Sequence, residues 1–186
     1  MIPEKVRLLA VCDETLGRSA SLAARLKEEV ESLAIDSPNI ANRIIVDNAG
    51  TKVRKRQSHK KYNGSAHPAI IEGMLHDYGA SRVAPHIKNH NVRQLKKSDF
   101  TYNTIAVILN DPTYLNPEDI KNSLLVIAPR VIDISETSES FDLAISHILT
   151  QAHYLGYIII AKLSESLIAN DFELFAKFFR PITIVR

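Results

Sequence analysis

Cysteine is almost absent from this chain of 186 residues, since only Cys12 is present. A single thiol forms no internal disulfide and excludes a zinc site built from several thiolates. His86 and His90 are four residues apart, but no third metal ligand accompanies them. We therefore expect no metal and no cofactor, and the lone reduced thiol favours a cytoplasmic location.

Long hydrophobic runs are also lacking. The purely apolar stretches fall far short of the roughly 20 residues that a membrane-spanning helix needs, so we expect no membrane partner. The start, MIPEKVRLLAVCDE, holds one short apolar run that ends in two acidic residues, which does not indicate a secretory signal. With 45% hydrophobic and 24% charged residues, the composition is that of a folded globular protein.

Net charge is small, because 23 basic residues face 21 acidic ones and the formal balance is +2. That balance does not indicate a nucleic-acid partner. The charges are unevenly spread, since residues 52–61 (KVRKRQSHKK, the basic run) hold six Lys or Arg residues and no acid. Two interpretations stay open for the basic run: a solvated loop, as is usual for charge blocks, or a docking surface for an anionic partner.

Apolar segments alternate with helical patterns along most of the chain. Strands are predicted for four apolar runs, residues 5–12, 43–46, 104–109 and 124–128. Apolar residues three or four apart predict helices over residues 18–33 and 67–78, whereas residues 80–98 are expected to be mostly loop. This order predicts an α/β fold with three layers, a four-stranded parallel sheet flanked by helices.

A longer helical pattern from Phe141 to Leu167 leaves two alternatives open. It forms one helix of about 30 residues, or Gly156 breaks it and residues 157–160 form a strand. We expect residues 1–157 to form the α/β domain. Residues 158–186 would form a C-terminal helical extension, packed on that domain or at a homodimer interface.

Cys12 comes at the end of the first predicted strand, at the edge of the sheet where α/β proteins bind ligands. A loop between a strand end and a helix N-terminus directs backbone N–H groups inwards, and with the helix dipole they form an anion site. A thiolate is stabilised in the same field. Phosphate binding is therefore predicted for Asp13, Glu14, Thr15, Leu16, Gly17, Arg18 and Ser19, which with Cys12 form the Cys12 loop.

Two side chains of the Cys12 loop have predicted roles. Arg18 would hold two phosphate oxygens, and Ser19 would donate a hydrogen bond to the Cys12 thiolate. The alternative is that Cys12 is a small buried hydrophobic residue at a strand end.

Four segments in order carry a resemblance to a known family. They are VRLLAVC with GRSASLAARL, IIVDNAGT (44–51), HPAIIEGMLHDYG (67–79) and NVRQLKKSDFTYNTIAVIL (91–109). Over about residues 5–155 the chain resembles the low-molecular-weight protein tyrosine phosphatases and the related arsenate reductases. The fold of that family, a four-stranded parallel sheet flanked by helices, agrees with the alternation of elements.

The resemblance implies a cysteine-dependent phosphatase that hydrolyses a phosphomonoester, phosphotyrosine-like, through a phosphocysteine at Cys12. Its partner would be a phosphorylated protein or a small phosphomonoester. Arg18 and the loop amides would hold the phosphoryl oxygens. An aspartate would protonate the leaving oxygen and then activate water. Asp133 is the first choice because it follows the fourth strand, and Asp111, in the segment DPTY, is the alternative.

The sequence departs from the family at the Cys12 loop, where Glu14 and Thr15 replace glycine and asparagine. Glutamate resists backbone angles that glycine adopts, and Asp13 and Glu14 add negative charge near a site for a dianion. No Pro-Tyr-Tyr segment follows Asp133. Two other functions therefore stay open: a phosphatase-like binding or regulatory module with weakened catalysis, and an arsenate reductase that uses an external thiol.

Overall fold

A parallel β-sheet forms the centre of the protein. The computed structural model describes residues 4–76, 80–109, 124–127 and 138–179. The strands are β1 (Val6–Cys12), β2 (Ile44–Gly50), β3 (Thr104–Ile108) and β4 (Leu124–Ile127). They are all parallel and lie in the order β2-β1-β3-β4. The predicted α/β fold with a parallel sheet is confirmed, and β2 extends four residues further than the predicted strand, from 46 to Gly50.

Strand β1 lies between two neighbours and is apolar on both faces because both faces are covered. Leu8 and Ala10 pack into one hydrophobic cluster, whereas Leu9 and Val11 pack into a second one on the opposite face. Cys12, the last residue of β1, pairs with Gly50 of β2 and is only 3% exposed. The sheet therefore brings the thiol to its carboxyl-terminal edge.

Helices follow the strands along the chain. They are α1 (Arg18–Asp36), α2 (Pro38–Ala41), α3 (Val53–Arg56), α4 (Ser58–Lys61), α5 (Pro68–His76), α6 (Ala80–Lys88), α7 (Ser138–Ile168) and α8 (Phe172–Phe179). A single turn of 3-10 helix covers Lys97–Asp99.

The main core lies between one face of the sheet and helices α1, α7 and α8. Leu22 of α1, Ile159 of α7 and Phe175 of α8 belong to one buried cluster with the side chains of β1. The opposite face is covered, in the part of the chain that the structure describes, by Leu95 and Phe100 beside the 3-10 turn. The third helical layer on that face stays a prediction.

The prediction of loop over residues 80–98 is wrong for its first half, which forms α6. Val83 and Ile87, four residues apart, are fully buried against the neighbouring helices α1 and α5. Pro85 removes one backbone hydrogen bond from α6, but burial of that apolar face outweighs the loss.

The basic run is folded rather than an open loop. It forms the single helical turns α3 and α4, which Gln57 separates with a backbone φ of 54°. Val53 is buried at 2% exposure and anchors the first turn, whereas the Arg54, Lys55 and Lys60 side chains are exposed. The solvated-loop interpretation is therefore wrong about the backbone but right about most of the side chains.

Helix α7 is unbroken over 31 residues, so Gly156 does not interrupt it. Gly156 instead lets α7 approach α1 closely, since a Cβ atom there would lie 3.0 Å from the Cβ of Arg25. The expected boundary between residues 157 and 158 falls inside α7, and the division into a domain and an extension stays a prediction. Phe175 and Phe179 of α8 pack on the chain's own core, and homodimer formation stays a prediction too.

Residues Asp142–Ile168 of α7 have the length and hydropathy of a membrane-crossing helix. This is weak evidence, because the core helix of a soluble protein passes the same test. The buried residues Leu155, Ile159 and Leu163 lie in the main core, against α1 and the sheet. Packing thus accounts for the apolar face of α7, and the expected lack of a membrane partner stays a prediction.

The close contact of α7 with α1 predicts that a side chain at Gly156 destabilises the fold. Gly156→Val places branched carbons where even a Cβ is crowded by Arg25, so we expect the free energy of unfolding to fall by about 2 kcal/mol or more. Tyr157→Val puts the same residue at a neighbouring position that is 62% exposed, and it should cost less than about 1 kcal/mol. Urea unfolding of both variants checks this, and equal losses would contradict the contact.

Candidate active site

The Cys12 loop connects the end of β1 to the start of α1. Arg18 is the first residue of α1, and Gly17 occupies the N-cap position without a side-chain cap. The first N–H groups of a helix have no partner within the helix, and the helix dipole makes this end electropositive. The loop therefore lies where an anion is favoured.

The thiol of Cys12 has two polar contacts within the loop. Its Sγ lies 3.0 Å from the Oγ of Ser19, and the backbone N–H of Thr15 donates to it over 3.3 Å. The expected contact between Ser19 and the thiol is present, and both partners are O–H or N–H groups that can stabilise a thiolate. Cys12 is buried, as the alternative of a small hydrophobic residue also requires, but its two polar contacts favour the role of a thiolate.

Groups outside the loop bind four of its backbone carbonyls. Because a trans peptide is planar, a carbonyl held on one side directs the N–H of the next residue to the opposite side. The N–H groups of Asp13, Glu14, Leu16 and Gly17 are thus turned away from these outer partners. The four bonds are Thr51 N to Cys12 O (3.0 Å), Lys52 N to Asp13 O (2.7 Å), His90 Nε2 to Thr15 O (2.6 Å) and His67 N to Leu16 O (2.8 Å).

The backbone strain of the loop lies at Thr15. The resemblance to the family led us to expect it at Glu14, which replaces a glycine, but Glu14 has no positive φ. Thr15 has a φ of 60°, in the left-handed region that a β-branched residue rarely adopts. Three hydrogen bonds hold it there: its N–H donates to Cys12 Sγ, its carbonyl accepts from His90, and its Oγ1 donates to the Glu14 carbonyl over 2.6 Å. Thr15 is fully buried, so these bonds lie away from solvent.

His90 supports the loop from behind. Because the Thr15 carbonyl only accepts, Nε2 of His90 must carry the hydrogen. His90 is 8% exposed, and burial lowers its pKa from 6.5 to about 4, although the hydrogen bond to Thr15 opposes that shift. His90 is therefore a neutral structural donor, whereas Nε2 of His86 lies 3.1 Å from Oε2 of Glu31. The Nε2 atoms of the two histidines thus have different partners, and the expected lack of a metal stays a prediction.

Gly50 lets β2 approach the loop. A Cβ atom there would lie 2.8 Å from the Asp13 carbonyl oxygen and 2.6 Å from Val53. Its own N–H donates to Arg93 O over 3.0 Å, and its carbonyl accepts from Leu95 N over 2.8 Å. Any larger residue would push the chain after β2 away from the Cys12 loop.

Arg93 anchors the segment that follows His90. Its guanidinium binds Asp47 at 2.7 Å and Asp99 at 2.8 Å, and Arg7 pairs with the same two carboxylates. Burial is the largest single influence and raises the pKa of each carboxyl, but the combined hydrogen bonds and charges of Arg93, Arg7 and nearby backbone N–H groups outweigh it, so the pKa of each lies below its ordinary value. Both carboxylates are thus held charged against the two arginines.

Both acids of the loop are paired with the basic run. Asp13 Oδ2 lies 3.2 Å from the Nζ of Lys52, and Glu14 Oε1 lies 2.6 Å from the Nη1 of Arg56. Thr51 Oγ1 also donates to Asp13 Oδ1 over 3.4 Å. Sequence reasoning considered the acids and the basic run separately and missed this pairing.

The other predicted site residues differ in what the structure says of them. Arg18 donates from Nη1 to the carbonyl of Leu109 over 2.6 Å, so its side chain extends to the end of β3 beside the loop. The carbonyls of Leu16 and Gly17 accept from His67 N and Ser21 N over 2.8 Å each, and phosphate binding by these residues stays a prediction. Asp133 and Asp111 lie outside the described residues, so the choice of general acid stays a prediction.

Comparisons with known proteins add to this geometry. No protein-family model matches the sequence, and no curated protein matches it. Solved structures do match. A protein tyrosine phosphatase from Entamoeba histolytica superposes with a TM-score of 0.60 at 16% identity, over 87% of this chain and 99% of that chain.

The chain has the fold of the low-molecular-weight protein tyrosine phosphatases. A low-molecular-weight protein tyrosine phosphatase from T. tengcongensis matches at a TM-score of 0.54 and 14% identity, over 89% of this chain and 99% of its own. A low-molecular-weight phosphotyrosine phosphatase from Vibrio cholerae matches at a TM-score of 0.51 and 19% identity, over 82% of this chain and 94% of that chain. The resemblance read from the sequence is confirmed for the fold, and activity must be argued from the site.

The buried histidine predicts a pH dependence of stability. Because the pKa of His90 is about 4 in the folded protein and near 6.5 when unfolded, the unfolded chain takes up the proton first. Stability should therefore fall as the pH drops from about 6.5 to 4, by up to about 3 kcal/mol. His90→Gln keeps an N–H donor that does not titrate, and it should remove much of that loss.

The control is His147→Gln, the same change at an exposed position of α7. Chemical unfolding of the three proteins at pH 7, 5.5 and 4 measures the effect. If His90→Gln and wild type lose stability in parallel over this interval, His90 is not the titrating group.

Proposed function

We propose that this protein is a cysteine-dependent phosphatase that hydrolyses a phosphomonoester through a phosphocysteine. The observation that carries the proposal is the thiol of Cys12, contacted by Ser19 Oγ at 3.0 Å and by Thr15 N–H at 3.3 Å, in a loop whose carbonyls are bonded from outside. The fold shared with low-molecular-weight protein tyrosine phosphatases supports it. A cytoplasmic, soluble protein fits this proposal.

In the first step the Cys12 thiolate attacks phosphorus, the S–P bond forms and the P–O bond to the leaving group breaks. An aspartic acid donates its proton to the leaving oxygen. The amides of residues 13–18 and the Arg18 guanidinium would bind the equatorial oxygens, where charge is held in the transition state. For this Arg18 exchanges its bond to Leu109 for bonds to the phosphoryl group.

In the second step water attacks phosphorus and the S–P bond breaks. The proton of the water passes to the same aspartate, and inorganic phosphate leaves. Ser19 assists here, because a hydroxyl hydrogen bond stabilises the departing thiolate. The starting protonation states are restored, and no metal or cofactor takes part in the proposed cycle.

Cys12 should be required for turnover. Because it is the only cysteine, we expect Cys12→Ser to lower the rate of 4-nitrophenyl phosphate hydrolysis at least about a thousandfold. Iodoacetamide should inactivate the wild type with one label per chain, and inorganic phosphate should slow the labelling. Hydrolysis that survives Cys12→Ser would overturn the mechanism.

The general acid can be assigned by leaving-group dependence. Asp133→Asn should lower the kcat for phenyl phosphate, a poor leaving group, by about a hundredfold. The loss should be smaller for 4-nitrophenyl phosphate, whose leaving group needs no proton. Asp111→Asn is the matched variant, and we expect it to stay within a few fold of wild type with both substrates. The reverse pattern would assign the acid to Asp111.

An aryl phosphate is the proposed substrate class. The ring of Tyr62 lies 5.0 Å from the ring of His67. The backbone N–H of His67 in turn donates to the loop carbonyl of Leu16. An aromatic side chain therefore lies near the loop, although the family's Pro-Tyr-Tyr segment is missing. A phosphorylated protein or a small aryl phosphomonoester would fit this arrangement.

A second candidate is a phosphatase-like module that binds phosphate groups with little catalysis. Glu14 and the strained Thr15 favour it, because both depart from the residues of an efficient phosphate loop. Phosphate binding without hydrolysis of either aryl phosphate would select this candidate. An arsenate reductase with an external thiol would instead consume that thiol when arsenate is added.

A further inference from the structure

Two carboxylates belong to a loop that would receive a phosphate dianion. Asp13 and Glu14 directly follow Cys12, and each like charge lowers the affinity for an anion unless it is neutralised. The family resemblance does not resolve this conflict, since its loop has no glutamate at that position. An answer must come from groups around the loop.

The basic run supplies an ion-pair partner to each acid. The side chains of Lys52 and Asp13 are 19% and 22% exposed, so this pair is largely shielded from solvent at 3.2 Å. Glu14 is 23% exposed and pairs at 2.6 Å with Arg56, which is 52% exposed. The Asp13 pair is therefore screened by salt less than an open surface pair is, whereas the Glu14 pair is open to solvent on its Arg56 side.

The backbone holds these cations in position. Thr51 and Lys52 donate their N–H groups to the loop carbonyls of Cys12 and Asp13, so the start of the basic run lies directly against the loop. Lys52 is the N-cap residue of the single turn α3 and Arg56 is its last residue, and the Arg56 N–H donates to Lys52 O over 3.0 Å. Gln94 accepts from the Arg54 N–H over 2.9 Å and donates to Thr51 O over 2.9 Å, which ties the turn from its other side.

We propose that Lys52 and Arg56 are positioning residues of the phosphate loop, which hold the Asp13 and Glu14 carboxylates outward and neutralise them. The loop interior then keeps the positive field of its amides, of the α1 N-terminus and of Arg18. The proposal rests on the proposed phosphate site but not on its catalytic step. It assigns a role to two of the six cations in the basic run.

Steady-state kinetics on 4-nitrophenyl phosphate tests the proposal. Arg56→Gln removes the cation that lies 2.6 Å from Glu14, and we expect KM to rise by about tenfold while kcat changes less than threefold. Lys55→Gln removes the same charge from an exposed position of α3 and is the matched control, with an expected change in KM of less than twofold. If the two variants raise KM equally, the effect comes from the overall positive charge of the basic run and not from the Arg56–Glu14 pair, and the proposal is overturned.

Rescue separates positioning from loss of structure. Glu14→Gln combined with Arg56→Gln should restore the KM of wild type, because the unpaired carboxylate is then gone. Asp13→Asn combined with Lys52→Gln should restore the KM of wild type in the same way. Circular dichroism and thermal unfolding establish that each variant is folded. A double variant as weak as Arg56→Gln alone would contradict the assigned role.

Binding of inorganic phosphate to the Cys12→Ser protein gives a readout without catalysis. Calorimetry on Cys12→Ser, with and without Arg56→Gln, should show about tenfold weaker binding in the double variant. Binding with this difference but no hydrolysis by wild type would support the positioning role and overturn the catalytic proposal. Hydrolysis by wild type with no difference in phosphate affinity would support the catalytic proposal and overturn the positioning role. If the Cys12→Ser protein binds no phosphate at all, both proposals are overturned.

Discussion

The outward bonding of loop carbonyls is the constraint on which the candidate site depends. Each carbonyl held from outside turns the next N–H to the other side, because the peptide unit is planar. Four such bonds, from Thr51, Lys52, His67 and His90, act on a loop of eight residues. The proposed anion site would therefore be made mainly by backbone N–H groups, and Thr15 Oγ1 adds a hydrogen bond to the Glu14 carbonyl.

The donors of these bonds come from three separate segments, so loop geometry depends on tertiary structure. Gly50 brings Thr51 and Lys52 close, and the start of α5 brings His67. The segment that carries His90 is tied to the sheet by Arg93, whose two carboxylate partners stay charged because ion pairing outweighs burial. A loop isolated from these segments would lose the bonds that direct its amides.

The sequence predicted well what depends on local pattern. Apolar continuity placed β1, β3 and β4, and the spacing of Leu22 and Leu26 placed α1, because the period of the apolar residues along the chain indicates the type of element and its buried face. Helix α6 escaped prediction since Pro85 opposes it locally and only tertiary burial of Val83 and Ile87 favours it. His90 also escaped, because no local pattern marks a side chain that supports a loop 75 residues away.

The ion pairs of the Cys12 loop could not be predicted from local sequence pattern either, and they bear on function. Glu14 and Arg56 are 42 residues apart, and nothing between them in the chain indicates that they meet. Taken singly, the acids argue against an anion site and the basic run suggests an external partner. Taken together, Asp13 pairs with Lys52 and Glu14 pairs with Arg56, so both acids have a counter-charge beside the N-terminus of α1. The departures in this loop are thus compatible with phosphate chemistry as long as their counter-charges stay in place.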